Sequence, residues 1–175
     1  IYTGEDTLSL HDALPIWKVG VIGTQATITS GAYEDAFAAA PQVEITTQAC
    51  PTFVGFVEAG ITTGPELQAA ANEYLASIRA AGVDTLVLGC THYPLLTGII
   101  QYTVGDEVTL VSSAEETAKD VYRTLTAADQ LRDIAAPAPH HEFLATGDVA
   151  GFAALGRRIL GGAVEPTQVS FGSTN

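Results

Sequence analysis

Cys90 and His92 lie two residues apart in the segment Leu88–Pro94 (LGCTHYP), and both side chains can carry protons. A thiolate is a nucleophile and a proton acceptor, whereas an imidazole titrates near neutral pH. The preceding residues, Thr85–Leu88, form a short apolar run typical of a strand buried in a parallel sheet. We therefore expect Cys90 at the carboxyl end of that strand, where open α/β sheets bind ligands.

The residues around Cys90 favour an activated thiol. Gly89 permits close approach of the backbone to a ligand, and Pro94 favours the start of a helix. The positive end of a helix dipole and an imidazolium at His92 both lower the pKa of a thiol from about 8.5. Such a cysteine acts as a nucleophile or as a proton carrier. A buried structural cysteine is the alternative.

The elements that must position these residues follow from the pattern after Lys18. Short apolar runs alternate there with helical patterns, which predicts an α/β fold with a parallel sheet. The predicted strands are Val19–Ile22, Glu44–Thr47, Thr85–Leu88, Thr109–Val111 and His141–Ala145. The predicted helices run from a Ser30 cap to Ala39, from Gly64 to Gly82, from a Ser113/Glu116 capping box to Ala127, and from Val149 to Leu160.

The composition excludes several classes of function. The chain is 47% hydrophobic and 15% charged, which supports a buried core. Its formal charge is −13 and its largest basic cluster is Arg157-Arg158, which disfavours nucleic acid and an anionic membrane surface as partners. No apolar run approaches the roughly 18 residues that span a bilayer. The two cysteines are too few for a disulfide framework, and with no secretory signal visible we expect a cytoplasmic protein.

The stretch Leu86–Leu95 (LVLGCTHYPL) resembles the second cysteine signature of glutamate racemases, in the aspartate/glutamate racemase family. Three further stretches resemble the same family in the same order: Val19–Phe37 (VGVIGTQATITSGAYEDAF), Ala49–Gly60 (ACPTFVGFVEAG) and Val108–Ala118 (VTLVSSAEETA). The resemblance extends from about Trp17 to Gly162 and so covers most of the chain.

The resemblance implies interconversion of L- and D-glutamate without pyridoxal phosphate or metal, supplying D-glutamate for peptidoglycan. Two cysteines would act on opposite faces of the α-carbon, one as thiolate and one as thiol. Cys90 resembles the cysteine that faces the α-hydrogen of L-glutamate. His92 resembles the histidine that exchanges a proton with this thiol or stabilises its thiolate, and that also lies at the substrate. Thr91 matches a residue that holds the polar groups of the substrate, and Glu58, expected on a loop, matches an assisting carboxylate. Glutamate is therefore the expected small-molecule substrate. A full-length protein could also form a homodimer.

The remaining candidate residues have structural interpretations. Cys50 lies outside the racemising pair of the resemblance, and we expect a packed thiol. Thr24 and Thr27 follow the first strand, where either substrate contact or a turn or helix-capping role is open. His140 and His141 are adjacent rather than four residues apart, which predicts a surface pair and no metal site.

The segment 1–16 (IYTGEDTLSLHDALPI) resembles an in-frame translation of a DNA-sequencing adapter, and natural sequence is expected from near Trp17. By resemblance, residues 17–112 form the second α/β lobe of the racemase fold, and residues 113–175 complete the first lobe. The Asp-Ser, Tyr-Gly and Cys-Asn-Thr motifs of the family's first half do not occur in the chain. Because the last motif carries the first catalytic cysteine, we expect the chain to be inactive by itself. We also expect poor solubility, since the helix after Ser113 would expose an apolar face.

Three alternatives are open. Aspartate and hydantoin racemases share the two-cysteine design. A Cys/His acyl-transfer enzyme would use Cys90 as its nucleophile and would need an oxyanion hole. A fragment without activity would only bind or aggregate.

Overall fold

The computed structural model describes residues 18–162 and 164–170, so the adapter-like segment 1–16 and Trp17 lie outside the described residues. The chain divides into two compact units, the first ending at Thr124 and the second beginning at Leu125. The lobe assignment made by resemblance, with a boundary after Ser112, stays a prediction.

A parallel four-stranded sheet forms the centre of the first unit, which confirms the α/β fold class. Its strands are β1 (Lys18–Gly23), β2 (Glu44–Ala49), β3 (Thr85–Leu88) and β4 (Thr109–Ser112). They lie in the order β2-β1-β3-β4. All four were predicted, and three of them extend by one or two residues beyond the predicted bounds because the neighbouring backbone continues the hydrogen-bonded ladder.

Helices connect these strands, as parallel pairing requires. They are α1 (Gln25–Thr29), α2 (Ala32–Phe37), α3 (Thr52–Glu58), α4 (Pro65–Tyr74), α5 (Ala76–Ala81), a 3-10 helix (Tyr93–Leu96) and α6 (Thr97–Val104). The helix α7 (Ser113–Ala127) follows β4 and contains the boundary between the two units.

The helix predicted from a Ser30 cap to Ala39 is present but shorter, over Ala32–Phe37, and the preceding helix α1 was not predicted. Gly31 separates the two helices, because it adopts the left-handed conformation with φ 67° and interrupts the helical backbone. Ser30 Oγ donates a hydrogen bond back to the carbonyl of Thr27 at 2.7 Å and accepts a long one, 3.4 Å, from the N–H of Ala32, while Gly31 is the capping residue of α2. The cap of α1 is Thr24, whose Oγ1 accepts from the backbone N–H of Thr27 at 3.2 Å.

Two other helix boundaries needed correction. The helix predicted between Gly64 and Gly82 has both expected ends, with Gly82 left-handed at φ 63°, but it breaks at Leu75, where φ is −84° and ψ is 4°. At α7 the capping residue is Ser112 rather than Ser113, since Ser112 Oγ accepts from the N–H of Glu115 at 3.2 Å.

The core of the first unit is built from one face of the sheet and the helices packed on it. The helix-face residues that periodicity predicted are fully buried, namely Leu67, Ala71, Leu75 and Ile78, and Tyr74 packs partly buried against them. Phe53 and Val57 of α3 and Tyr93, Leu96 and Ile100 complete the cluster around Ile22, Leu86 and Leu88. This burial fixes α3 and the 3-10 helix beside the carboxyl ends of the strands.

The second unit contains a two-stranded parallel sheet and one helix. The strands are β5 (Phe143–Ala145) and β6 (Pro166–Gln168), and the helix is α8 (Val149–Leu160). The bounds of α8 match the prediction, and Asp148 caps it by accepting from the N–H of Ala150 at 3.0 Å. The predicted strand starts at Phe143 rather than His141, and β6 was not predicted.

Apolar side chains are exposed on α7, as the sequence predicted. None of the residues of this helix is buried, and Val121 and Tyr122 are 53% and 62% exposed. Within the described part of the chain, no helix has the length and apolar character needed to cross a bilayer.

Ile100 and Tyr102 on α6 provide a matched test of the core. Ile100 is fully buried, whereas Tyr102 is 79% exposed. We predict that Ile100→Ala lowers the free energy of unfolding by about 2–5 kcal/mol because it leaves a cavity. Tyr102→Ala should change it by less than about 0.5 kcal/mol. Urea denaturation followed by far-UV circular dichroism measures both values, and equal losses would contradict the proposed core.

Candidate functional site

The candidate site lies at the sheet edge where the parallel strands end together. The register pairs Gly23 of β1 with Ala49 of β2, and Ile22 of β1 with Leu88 of β3. The backbone ladder continues one residue past β3, since the N–H of Gly89 donates to the carbonyl of Ile22 at 2.8 Å. The residues that follow these strands therefore meet at one edge, as expected for a ligand site in an open α/β sheet.

Gly89 brings the backbone close to its neighbours. A side-chain Cβ at this position would lie 3.0 Å from the carbonyl oxygen of Ile22 and 3.0 Å from Tyr33 Oη. Any larger residue would push β3 away from β1 or displace the Tyr33 ring. The glycine thus sets the direction in which the chain leaves the strand towards Cys90.

Cys90 and His92 form a direct side-chain contact in the turn after β3. Cys90 Sγ lies 3.9 Å from His92 Nδ1, and the thiol is half-buried. The N–H of Tyr93 donates to the carbonyl of Cys90 at 3.1 Å, which closes the turn and starts the 3-10 helix. The predicted helix start at Pro94 is thereby confirmed. The spacing of two residues places both groups on one side of the turn.

Glu58 extends this contact into a line of three groups. Its Oε1 lies 3.5 Å from His92 Nε2, on the opposite side of the imidazole from the thiol. Glu58 was expected on a loop, but it is the last residue of α3, because the helix continues through the buried Phe53 and Val57. A carboxylate near Nε2 favours the tautomer with the proton on Nε2, which leaves Nδ1 able to accept a proton from sulfur.

The contact between Glu58 and His92 orients the imidazole more than it stabilises the fold. The Glu58 side chain is 58% exposed and that of His92 is 26% exposed. Pairs of this exposure contribute only about 0–1 kcal/mol, because water competes for both partners.

Thr91 lies between Cys90 and His92 in the sequence, and it is exposed. Its predicted contact with substrate stays a prediction.

Thr24 and Thr27 have a structural role at the end of β1. Thr24 Oγ1 caps α1 by accepting from the N–H of Thr27, and the two hydroxyl oxygens lie 2.9 Å apart. Of the two interpretations left open by the sequence, the structure shows the capping role.

Cys50 is a packed thiol, as expected. It is fully buried, and this burial raises the pKa of its thiol to about 12. Its carbonyl oxygen accepts a hydrogen bond of 2.9 Å from Tyr93 Oη. Although Cys50 follows β2 at the same sheet edge as Cys90, its thiol is held protonated at neutral pH.

His140 and His141 are exposed, as the sequence predicted. His140 Nε2 lies 3.9 Å from Glu142 Oε1, and both side chains are largely in solvent. Over residues 18–162 and 164–170, no three His, Cys, Asp or Glu side chains are grouped as a metal site requires.

Two residues at the site were not identified from the sequence. Tyr93 is fully buried beneath the Cys90–His92 turn, and its hydroxyl binds a carbonyl 43 residues away. Ser113 Oγ donates to the carbonyl of Leu88 at 2.7 Å and so holds the end of β3. The sequence did offer a signal for each residue. Tyr93 directly follows the Cys90–His92 motif, and Ser113 directly follows β4.

Comparisons with known proteins agree with the resemblance inferred from the motifs. A family model described as Asp/Glu/Hydantoin racemase matches residues 4–121. The glutamate racemase of Beutenbergia cavernae is 62% identical over 156 residues, which is 85% of this chain and 53% of that protein. The glutamate racemase of Acidothermus cellulolyticus is 64% identical over 144 residues, which is 82% of this chain and 55% of that protein.

A solved structure shares the fold. The glutamate racemase of Francisella tularensis, crystallised with D-glutamate, superimposes with a TM-score of 0.80 at 30% sequence identity. The match covers 89% of this chain and 59% of that one. The chain therefore spans about half the length of the curated relatives it matches.

The two cysteines should differ sharply in reactivity. With a pKa of about 12, Cys50 has a thiolate fraction of only about 10⁻⁴ at pH 8. We predict that iodoacetamide modifies the half-buried Cys90 and leaves Cys50 unmodified in the folded chain. Peptide mass spectrometry after timed alkylation measures both rates. Urea-unfolded protein is the control in which both thiols should react, and comparable rates in the folded chain would contradict the assignment.

Burial of the Cys50 thiol should also make the fold sensitive to alkali. Its folded pKa of about 12 lies above the ordinary thiol value of 9.0, so the folded state keeps a proton that the unfolded state loses. This stabilisation is present below pH 9 and is lost as the pH rises towards 12. We predict that Cys50→Ala flattens the fall in unfolding free energy between pH 9 and 11, measured by urea denaturation. Cys90→Ala is the matched control and should keep the steeper fall.

Proposed function

Because this chain belongs to the Asp/Glu/hydantoin racemase family, we propose that it carries one of the two acid–base groups of a glutamate racemase. The observation that carries the proposal is the line Cys90 Sγ, His92 imidazole and Glu58 carboxylate, at the carboxyl edge of the sheet. We propose glutamate as the substrate because relatives about 60% identical are named glutamate racemases.

The chemistry suits a thiol. In one direction the Cys90 thiolate takes the α-proton of L-glutamate, so a C–H bond breaks, an S–H bond forms, and the electron pair stays on the α-carbon. A thiol on the opposite face then donates its proton to that carbon and gives D-glutamate. In the other direction Cys90 is the donor. Thiols alone supply both protons, so we propose a reaction that uses no cofactor.

His92 has the role of proton partner to Cys90 in this proposal. Its Nδ1 faces the sulfur at 3.9 Å, where it can accept the thiol proton or, as imidazolium, stabilise the thiolate. Glu58 faces Nε2 at 3.5 Å and stabilises the positive charge that forms on the ring. Thr91, exposed beside them, is proposed to bind a polar group of the substrate.

The cellular role follows from the product. D-glutamate is consumed in peptidoglycan synthesis, so we propose a contribution to cell-wall formation and cell shape, carried out in the cytoplasm. A homodimer is part of this proposal for the complete protein.

A Cys/His acyl-transfer enzyme is the second candidate, because a cysteine, a histidine and a carboxylate in line are also the parts of a nucleophilic triad. That reaction forms a covalent acyl group on Cys90. The family description also includes aspartate and hydantoin substrates, which a substrate panel separates from glutamate.

The proposal predicts solvent exchange at the α-carbon. The longest reading frame that contains this sequence, incubated with L-glutamate in D₂O, should give D-glutamate that carries deuterium at the α-carbon, detected by ¹H NMR. Cys90→Ala should lower the rate by about 10²- to 10⁴-fold, since one acid–base group is removed. Cys50→Ala is the matched control and should retain exchange.

Two results would contradict the proposal. One is unchanged exchange in Cys90→Ala. The other is a stable acyl adduct on Cys90 with no exchange, which would establish the acyl-transfer alternative.

A further inference from the structure

We propose that Tyr93 is a positioning residue that keeps His92 and Glu58 aligned with the Cys90 thiol. The inference concerns how the three-group line is built, and it deepens the proposed function given above. Tyr93 has no place in the proton transfer itself, since its side chain is fully buried beneath the turn.

Tyr93 is joined to the thiol turn through its backbone. Its N–H donates to the carbonyl of Cys90 at 3.1 Å, and it is the residue directly after His92. Any displacement of the Tyr93 backbone therefore moves both the sulfur and the imidazole.

Tyr93 is joined to the Glu58 helix through its side chain. Its ring meets the ring of Phe53, in the first turn of α3, edge to face, with centroids 5.5 Å apart at 83°. Its hydroxyl donates at 2.9 Å to the carbonyl of Cys50, two residues before α3 begins. The same helix ends at Glu58, so the Tyr93 side chain sets where the carboxylate lies relative to the imidazole.

The Tyr93 hydroxyl keeps its proton and therefore stays a hydrogen-bond donor. Burial, followed by the nearby Cys50 and Cys90 thiols, raises the pKa of Tyr93 well above its usual value, so the group stays protonated at physiological pH. The Cys50 carbonyl, at the entry to α3, also accepts from the N–H of Phe53 at 3.3 Å, so the Tyr93 hydroxyl adds a second, shorter bond that ties the start of the helix to the thiol turn.

A neighbouring tyrosine provides a matched control. Tyr74 Oη accepts from Thr52 Oγ1 at 3.2 Å, and its ring meets Phe53 edge to face at 5.5 Å and 78°. It belongs to the same aromatic group as Tyr93 but has no bond to the Cys90 turn. Tyr74→Phe therefore removes a comparable hydroxyl without touching the link under test.

The experiment measures the pH dependence of Cys90 alkylation by iodoacetamide in the 175-residue chain, by peptide mass spectrometry. Tyr93→Phe should move the pH midpoint of the reaction upwards by about half a unit to one unit, since Glu58 then shifts with α3 and no longer aligns the imidazole that supports the thiolate. Tyr74→Phe should leave the midpoint unchanged. The measurement needs no substrate, so its failure is distinct from failure of the racemase proposal.

A double variant separates positioning from a general loss of packing. In Glu58→Gln a neutral amide replaces the carboxylate that Tyr93 is proposed to position. Adding Tyr93→Phe should therefore cause no further shift of the midpoint. An unshifted midpoint in Tyr93→Phe, or an equal shift with and without Glu58→Gln, would overturn the proposal.

Modification of Cys50 reports unfolding in every sample. If Tyr93→Phe exposes Cys50, Phe53→Leu replaces it, since that change loosens the ring contact but keeps the hydroxyl bond. The proposal then requires the same upward shift in Phe53→Leu, and a midpoint equal to that of the unchanged chain would refute it.

Discussion

The pairing of β1 with the strands on either side of it is the constraint on which the site depends. The N–H of Gly89 bonds to the carbonyl of Ile22, and the N–H of Cys50 bonds to the carbonyl of Gly23, each within 2.9 Å. These two bonds carry the ladder past the ends of β3 and β2, so the chain segments that leave both strands emerge side by side. Only then can the hydroxyl of Tyr93 reach across to the carbonyl of Cys50. The parallel arrangement, rather than any single side chain, brings α3 to the turn that carries the thiol.

The two cysteines show how burial decides chemistry at one sheet edge. Both follow a strand directly or within two residues, and both belong to or border the same hydrophobic cluster. Cys50 is fully buried, and its raised pKa of about 12 keeps the thiol protonated and inert. Cys90 is half-buried and has an imidazole nitrogen 3.9 Å from its sulfur. The proposed proton transfer by Cys90 needs this second environment, because the imidazole has to exchange the proton with the thiol.

The line from sulfur to carboxylate depends on geometry more than on interaction energy. Its outer member, Glu58, is more than half exposed, so its contact with His92 adds little to stability. What holds the carboxylate in place is the other side of its helix, where Phe53 and Val57 are buried. The exposed site residues are therefore positioned by apolar contacts beneath them, and substitutions in that layer should alter reactivity without touching a reacting atom.

Local sequence was sufficient for the four strands of the first unit, for the ends of α8, for the end of α5 at Gly82 and for the thiol–imidazole pair. These features depend only on residues that are close in the sequence. Examples are the continuous apolar runs of the strands, Gly82 at a helix end, and the spacing of two residues between Cys90 and His92. The tertiary structure alone decided which residues separated in sequence meet. It placed Glu58 on a helix against His92, and it joined Tyr93 to a carbonyl 43 residues earlier. Such contacts depend on strand order and on the burial of whole helix faces, which no short stretch of sequence encodes by itself.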